Sequence, residues 1–240
     1  MTSLQLLKLP LLCTAATCSQ IAFTAPNPPA KAEEVKKFGR KDPGSYIGRL
    51  LLSTMKLLVW FATLCEIAVV IASHFPHPLS VQVLSVLVSA PPSFISNVRV
   101  TASSLLGWTL VCAGALLRVQ CFRTLGRFFT FELSVKAEHK LVMNGPYAVV
   151  RHPSYAGTLM VASGNLLYFF GAGSWFAECG VWSTMMGKIL ALILIIGFGF
   201  PFVSVPLRIK KEDAVFRKEF GVQWEEWAKR TPYRVLPFVF

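Results

Sequence analysis

A chain of 240 residues with 54% hydrophobic and 15% charged side chains carries more apolar surface than one soluble domain can hide, and its mean hydropathy is positive. The formal net charge of +12 comes from Lys and Arg placed between apolar segments instead of gathered on one basic face. That pattern excludes nucleic acid as a partner and assigns the charge to membrane orientation. The fold class expected is an all-α integral membrane protein.

Crossing the hydrocarbon takes about 20 apolar residues, and five runs meet this in chain order: 5–24, 50–73, 102–120, 156–174 and 188–207. The first has the length of a secretory leader, but Lys8 sits inside it and the chain beyond keeps inserting. A signal anchor or ordinary first span is therefore expected. Residues 25–46, with Pro26, Pro28, Pro29 and mixed charge, read as a linker.

Loop charge orients the spans. The 25–49 connection holds Lys31, Lys36, Lys37, Arg40, Lys41 and Arg49, and the 121–155 connection holds Arg123, Arg127, Lys136, Lys140 and Arg151, so both are expected in the cytosol. The 74–101 connection has only Arg99 and the 175–187 connection no Lys or Arg, so both face the lumen. Five crossings then leave the segment from Arg208, with eight Lys or Arg residues, cytosolic. The apolar run 79–98 is broken by Pro91-Pro92, and its crossing would put the basic 121–155 loop on the wrong side. A surface or re-entrant segment is expected there.

Six cysteines, at 13, 18, 65, 112, 121 and 179, form no Cys-x-x-Cys pair and read as small hydrophobes. The four histidines are poorly spaced for a metal site, and none is expected. Walker, dinucleotide and nucleophile-elbow motifs are absent.

Polar chemistry gathers at His139-Lys-Leu-Val-Met-Asn-Gly-Pro-Tyr147 and Arg151-His-Pro-Ser-Tyr155, against the start of an apolar run. Donors, two aromatic faces and a proline-constrained backbone suit an adenosine-like ligand, and Tyr147 or Tyr155 is suited to stack on a purine or meet a sulfonium. The plainer reading is an interfacial aromatic belt, with Arg151 snorkelling to phosphates and Pro153 capping the next span. Arg208 and Glu212 stand one helical turn apart, able to hold a carboxylate and a cation respectively, or simply to pair with each other. Phe216, Phe220, Trp224 and Trp227 follow at spacings of four, four and three, the pattern of an amphipathic helix docked on a membrane surface.

Taken in order, His139-Lys-Leu-Val142, Gly145-Pro-Tyr147, Arg151-His-Pro-Ser-Tyr155, Gly157, Arg208-x-x-x-Glu212, Phe220-Gly221, Trp224, Trp227 and Arg234-x-x-Pro237 resemble the isoprenylcysteine carboxyl methyltransferase family over about residues 100–240. The resemblance implies an endoplasmic-reticulum membrane enzyme that moves methyl from S-adenosylmethionine to the C-terminal carboxylate of a prenylated cysteine, as on small GTPases or other CaaX proteins. It implies cofactor contacts at His139, Lys140, Leu141, Val142, Tyr147, His152, Pro153, Ser154, Tyr155 and Glu212. Arg208 would contact the substrate, and Arg208 and Glu212 would do the catalytic work. A family Gln is Glu132 here, which puts that cofactor contact in doubt. The acidic run is thinned to Glu212-Asp213, and Trp224 and Trp227 stand where Tyr is common.

The implied organisation is membrane spans and linker over 1–100 and a methyltransferase core over 101–240. A cytosolic cofactor pocket would be closed by the C-terminal amphipathic helix. Three alternatives remain: an NADPH-dependent membrane sterol reductase, whose C-terminus the Trp224-to-Pro237 ending resembles; another lipid methyltransferase; and a non-catalytic lipid-binding or scaffold protein.

Overall fold

The computed structural model describes residues 3–30, 32–35, 43–132, 134, 138 and 140–239, and among them all regular structure is helical. The α-helices are α1 (Ser3–Leu6), α2 (Lys8–Ala22), α3 (Ala32–Val35), α4 (Pro43–His74), α5 (Pro78–Leu87), α6 (Ala102–Leu125), α7 (Pro153–Phe170), α8 (Trp175–Glu178), α9 (Met185–Phe220) and α10 (Val222–Arg230).

Of the five apolar runs, three form helices long and apolar enough to cross a membrane: Gly48–His74, Ala102–Phe128 and Met185–Phe220. The other two fall short for separate reasons. Run 5–24 is interrupted at Leu7, leaving the 15 residues of α2, about 22 Å at ~1.5 Å per residue against a hydrocarbon core of about 30 Å. Helix α7 has 18 residues, but Ser154, Thr158, Ser163 and Asn165 dilute its hydropathy. Run 79–98 holds the ten-residue α5, about 15 Å long, which ends at Leu87, ahead of Pro91-Pro92, and then a 3-10 turn over Pro92–Asn97. His77 caps α5 by accepting from the Leu79 amide, with proline in its first turn.

Two compact units emerge. The first is Met1–Gln20, Thr54–Ala113 and Met160–Gly199; the second is Ile21–Ser53, Gly114–Leu159 and Phe200–Phe240.

In the first unit Leu12, Ala15, Val111 and Tyr168 form a buried cluster edged by Ile67 and Trp108. Helices α6 and α7 meet through glycines: a Cβ on Gly164 would lie 2.7 Å from the Gly107 carbonyl, and one on Gly107 2.8 Å from the Gly164 carbonyl. Small residues are what allow such an approach. Lys8 is fully buried, ion-paired with Glu66 and donating to the Gly173 carbonyl at 2.5 Å, while Glu66 accepts from the Trp175 amide at 3.2 Å. The charge inside the first apolar run is therefore neutralised within the protein, as burial of an ion requires.

In the second unit one cluster joins Cys121, Phe129, Tyr147 and Trp227, and another joins Ala156, Val205, Ile209 and Val235. Helix α9 continues unbroken past its apolar part through Lys210, Lys211 and Glu212 to Phe220, since nothing there stops it until Gly221. Its 36 residues make about 54 Å, so Arg208 and Glu212 ride on the same helix as the last apolar run.

Candidate active site

Three stretches of the second unit build the site: residues 145–155, residues 208–213 of α9, and the tail from Thr231. Gly145, at φ +57, and Pro146 make the 3-10 turn over Gly145–Ala148, and Pro153 opens α7, where a missing amide hydrogen costs nothing. Between them, residues 151 and 152 run beside the tail. The Arg151 amide donates to the Tyr233 carbonyl at 3.0 Å, and the His152 amide to the Arg234 carbonyl at 2.7 Å.

Asp213 gathers this region. Its Oδ1 lies 2.8 Å from His152 Nε2, and its Oδ2 lies 3.5 Å from both Arg151 Nη2 and Arg234 Nε. An ionised carboxylate only accepts, so Nε2 carries the hydrogen. His152 Nδ1 lies 3.7 Å from Glu212 Oε2, which sets the imidazole between two carboxylates. Arg151 is buried, spends Nη1 on the Thr231 and Pro232 carbonyls at 3.0 and 3.2 Å, and lies over the Trp224 ring. It does not snorkel; its partners hold it inside.

Arg208 and Glu212 are joined through Tyr155. The Tyr155 hydroxyl donates to Glu212 Oε2 at 3.0 Å and lies 3.4 Å from Arg208 Nε, and Arg208 Nη2 donates to the Phe131 carbonyl. Burial, then the Glu212 charge, push the Tyr155 phenol up against the opposing pull of Arg208. It stays a neutral donor.

The remaining expected residues take varied places. Tyr147 is buried among Cys121, Phe129 and Trp227, its carbonyl accepting from Trp227 Nε1 at 3.2 Å. Burial, followed by Cys121 and Glu212, pushes its phenol up. Leu141 and Val142 pack against the same cluster, and Lys140 is exposed. Ser154 accepts from Arg118 Nη1 at 3.3 Å, and Pro153 is buried. Glu132 is buried and paired with Arg49 at 3.2 Å. His139 lies outside the described residues.

The aromatic stripe is corrected. Gly221, at φ +51 and ψ −121, ends α9 and turns the chain into α10, so Phe216 and Phe220 stay on one helix and Trp224 and Trp227 on another. Trp227 is buried in the core instead of facing outward with the stripe. The motifs also pass over Arg118 and Asp213. A lone charge within an apolar run was the available signal for Arg118; Asp213 had only its place beside Glu212.

Residues 106–216 match the model of the isoprenylcysteine carboxyl methyltransferase (ICMT) family. The chain is 32% identical over 135 residues to protein-S-isoprenylcysteine O-methyltransferase B of Arabidopsis thaliana, covering 55% of this chain and 58% of that protein. It is 30% identical over 145 residues to protein-S-isoprenylcysteine O-methyltransferase of Schizosaccharomyces pombe, covering 59% of this chain and 52% of that protein. It is also 27% identical over 101 residues to the Delta(14)-sterol reductase TM7SF2 of Mus musculus, but this covers only 20% of that protein. The chain thus spans a little over half the length of these methyltransferases.

Proposed function

We propose that this chain, whose residues 106–216 match the ICMT family, is a membrane enzyme that methylates the C-terminal carboxylate of a prenylated cysteine. S-adenosylmethionine is the donor we propose. The observation carrying the proposal is the Tyr155 hydroxyl placed between Arg208 and Glu212: a cation for a carboxylate and an anion for a cationic group, held together within the matched stretch.

The donor set fits the cofactor. Arg151 Nε and Trp224 Nε1 are buried without a partner among the described residues, the kind of orphan a polar ligand satisfies. Glu212, His152, Ser154 and Tyr155 would line its pocket, with Leu141 and Val142 as apolar wall and His139 and Lys140 carried over from the family pattern. When bound, S-adenosylmethionine supplies a methyl group on a cationic sulfur.

The protein's own work is alignment. A C-terminal carboxylate, with a reference pKa of about 3.3–3.7, is already ionised, so no general base is required. Arg208 orients it, Glu212 holds the cationic partner opposite, and Tyr155 keeps the two from closing on each other. Fixing both reactants in line supplies the bulk of the rate enhancement.

The same reading places the protein in the endoplasmic-reticulum membrane with five crossings, a cytosolic pocket and C-terminus, and substrates among CaaX proteins such as small GTPases. Residues 101–240 would be the catalytic core, closed by the tail that carries Trp224 and Trp227. The reductase likeness supports a second reading of lesser weight, a sterol reductase using NADPH.

The test is transfer of labelled methyl to N-acetyl-S-farnesylcysteine by the purified chain. Base-labile label that disappears with the methyl-ester substrate, and with Arg208→Ala, supports the proposal. Cofactor binding without ester removes the substrate assignment, and NADPH-dependent reduction of a sterol alkene puts the second reading first.

A further inference from the structure

Helix α9, apolar enough to cross a membrane, carries its own marker of depth. Its exposed side chains are apolar at Val203 and Leu207 and become charged at Lys210 and Lys211. Cations that follow directly on the apolar part of a spanning helix sit at the level of the lipid phosphates. Buried on the same stretch of α9, Val205 and Ile209 pack with Val235 of the tail. Val235 is therefore held within one helical turn, about 5.4 Å, of that boundary.

The residues that follow Val235 carry no charge and have little cover. Leu236 is exposed, and Phe238 and Val239 are 86% and 77% exposed. Single exposed hydrophobics are ordinary, but here three of the four residues 236–239 stand out together at one depth. Phe238 also holds φ +65, which a bulky side chain adopts at a cost and keeps where the surroundings hold it. The turn is closed by the Val239 amide donating to the Leu236 carbonyl at 3.2 Å, and the Phe238 ring lies 5.1 Å from that of Tyr233. The protein thus supplies the turn but leaves most of the ring outside itself.

We propose that Leu236, Phe238 and Val239 form an apolar foot seated among lipid acyl chains at the headgroup boundary of the membrane that α9 crosses. The proposal rests on the membrane reading of α9 and not on the methyl-transfer chemistry. Lipid is favoured over a second copy of the chain by continuity, because Val235 fixes the foot beside the stretch of α9 whose exposed Val203 and Leu207 the bilayer covers. Lys210 and Lys211 stand where phosphates meet them. The same tail gives its Tyr233 and Arg234 carbonyls to the Arg151 and His152 amides, so seating the foot in lipid also steadies the stretch that borders the candidate site.

Nitroxide labels report the depth. Phe238→Cys and Val239→Cys are labelled one at a time on the full chain, with Cys13, Cys18 and Cys112 replaced by alanine, in phosphatidylcholine vesicles. Val203→Cys serves as the lipid reference and Lys218→Cys as the water reference. Power saturation compares relaxation by oxygen, which concentrates in hydrocarbon, with relaxation by a water-soluble nickel chelate. Labels at 238 and 239 are expected to give an oxygen-to-nickel ratio several-fold above that at 218 and close to that at 203. A ratio matching that at 218 puts the foot in water and overturns the proposal. Shielding from both reagents also overturns it, since protein, such as a second copy, then covers the foot. A label at 203 that reads as water overturns the membrane reading of α9 and this inference with it.

Discussion

Asp213 shows how much one side chain organises at the site. Within 3.5 Å it meets His152, Arg151 and Arg234, so it sets the imidazole and also anchors the tail beside residues 151 and 152. Asp213→Asn keeps the size and removes the charge. It is expected to weaken S-adenosylhomocysteine binding about tenfold, as loss of a charged hydrogen bond does, with less effect on kcat; titration calorimetry and steady-state kinetics check this. Tyr155→Phe removes the hydroxyl between Arg208 and Glu212, and a similar tenfold fall in kcat/KM is expected, since the two ions can then close on each other. Because the folded-state Tyr155 phenol is pushed up, its contribution to stability is complete below the ordinary tyrosine value of about 10 and is lost as pH rises beyond it. Phenolate absorbance that Tyr155→Phe removes is therefore expected only above that value. The motif positions of His152, Tyr155, Arg208 and Glu212 were legible in the sequence. The identity of their partners was not, because His152 and Asp213 are 61 residues apart and nothing local links them.

At the scale of the element, two glycines carry weight. Gly221 adopts φ +51 and ψ −121 with open space around it, so Gly221→Ala suffers backbone strain alone, of order 1–3 kcal/mol. A lower unfolding temperature and weakened seating of Trp227 are expected, the latter read as increased quenching of tryptophan fluorescence. Gly157→Ala meets the Gly114 carbonyl and Arg118 Cγ at 2.8 Å, and because one of these is backbone, the helices must separate. Loss of ligand binding with retained helical circular dichroism is the expected result. Periodicity correctly called for helix through Phe220, but the spacing of the aromatics implied one continuous amphipathic element. A single positive φ divided it, and spacing carries no record of such a turn.

For the whole molecule, the buried Lys8–Glu66 pair is the clearest lever. Glu66→Ala leaves Lys8 buried without its counter-charge, at an expected cost of about 3–5 kcal/mol, and the Lys8→Met, Glu66→Leu double variant should recover much of it. Thermal unfolding in detergent distinguishes the two. Hydropathy by itself determined a helical chain and the positions of the three helices long and apolar enough to cross a membrane, because apolar length is a property of contiguous sequence. Ordered motifs were enough to point to the family whose model residues 106–216 match. Only the tertiary structure decided that Lys8 is neutralised by Glu66, that Arg151 turns inward, that Asp213 holds His152, and that Arg118 is held by Ala22, Ser154 and Thr158. Each of those depends on which helix faces meet, and a polar side chain in a low-dielectric interior takes whatever partner packing brings within reach.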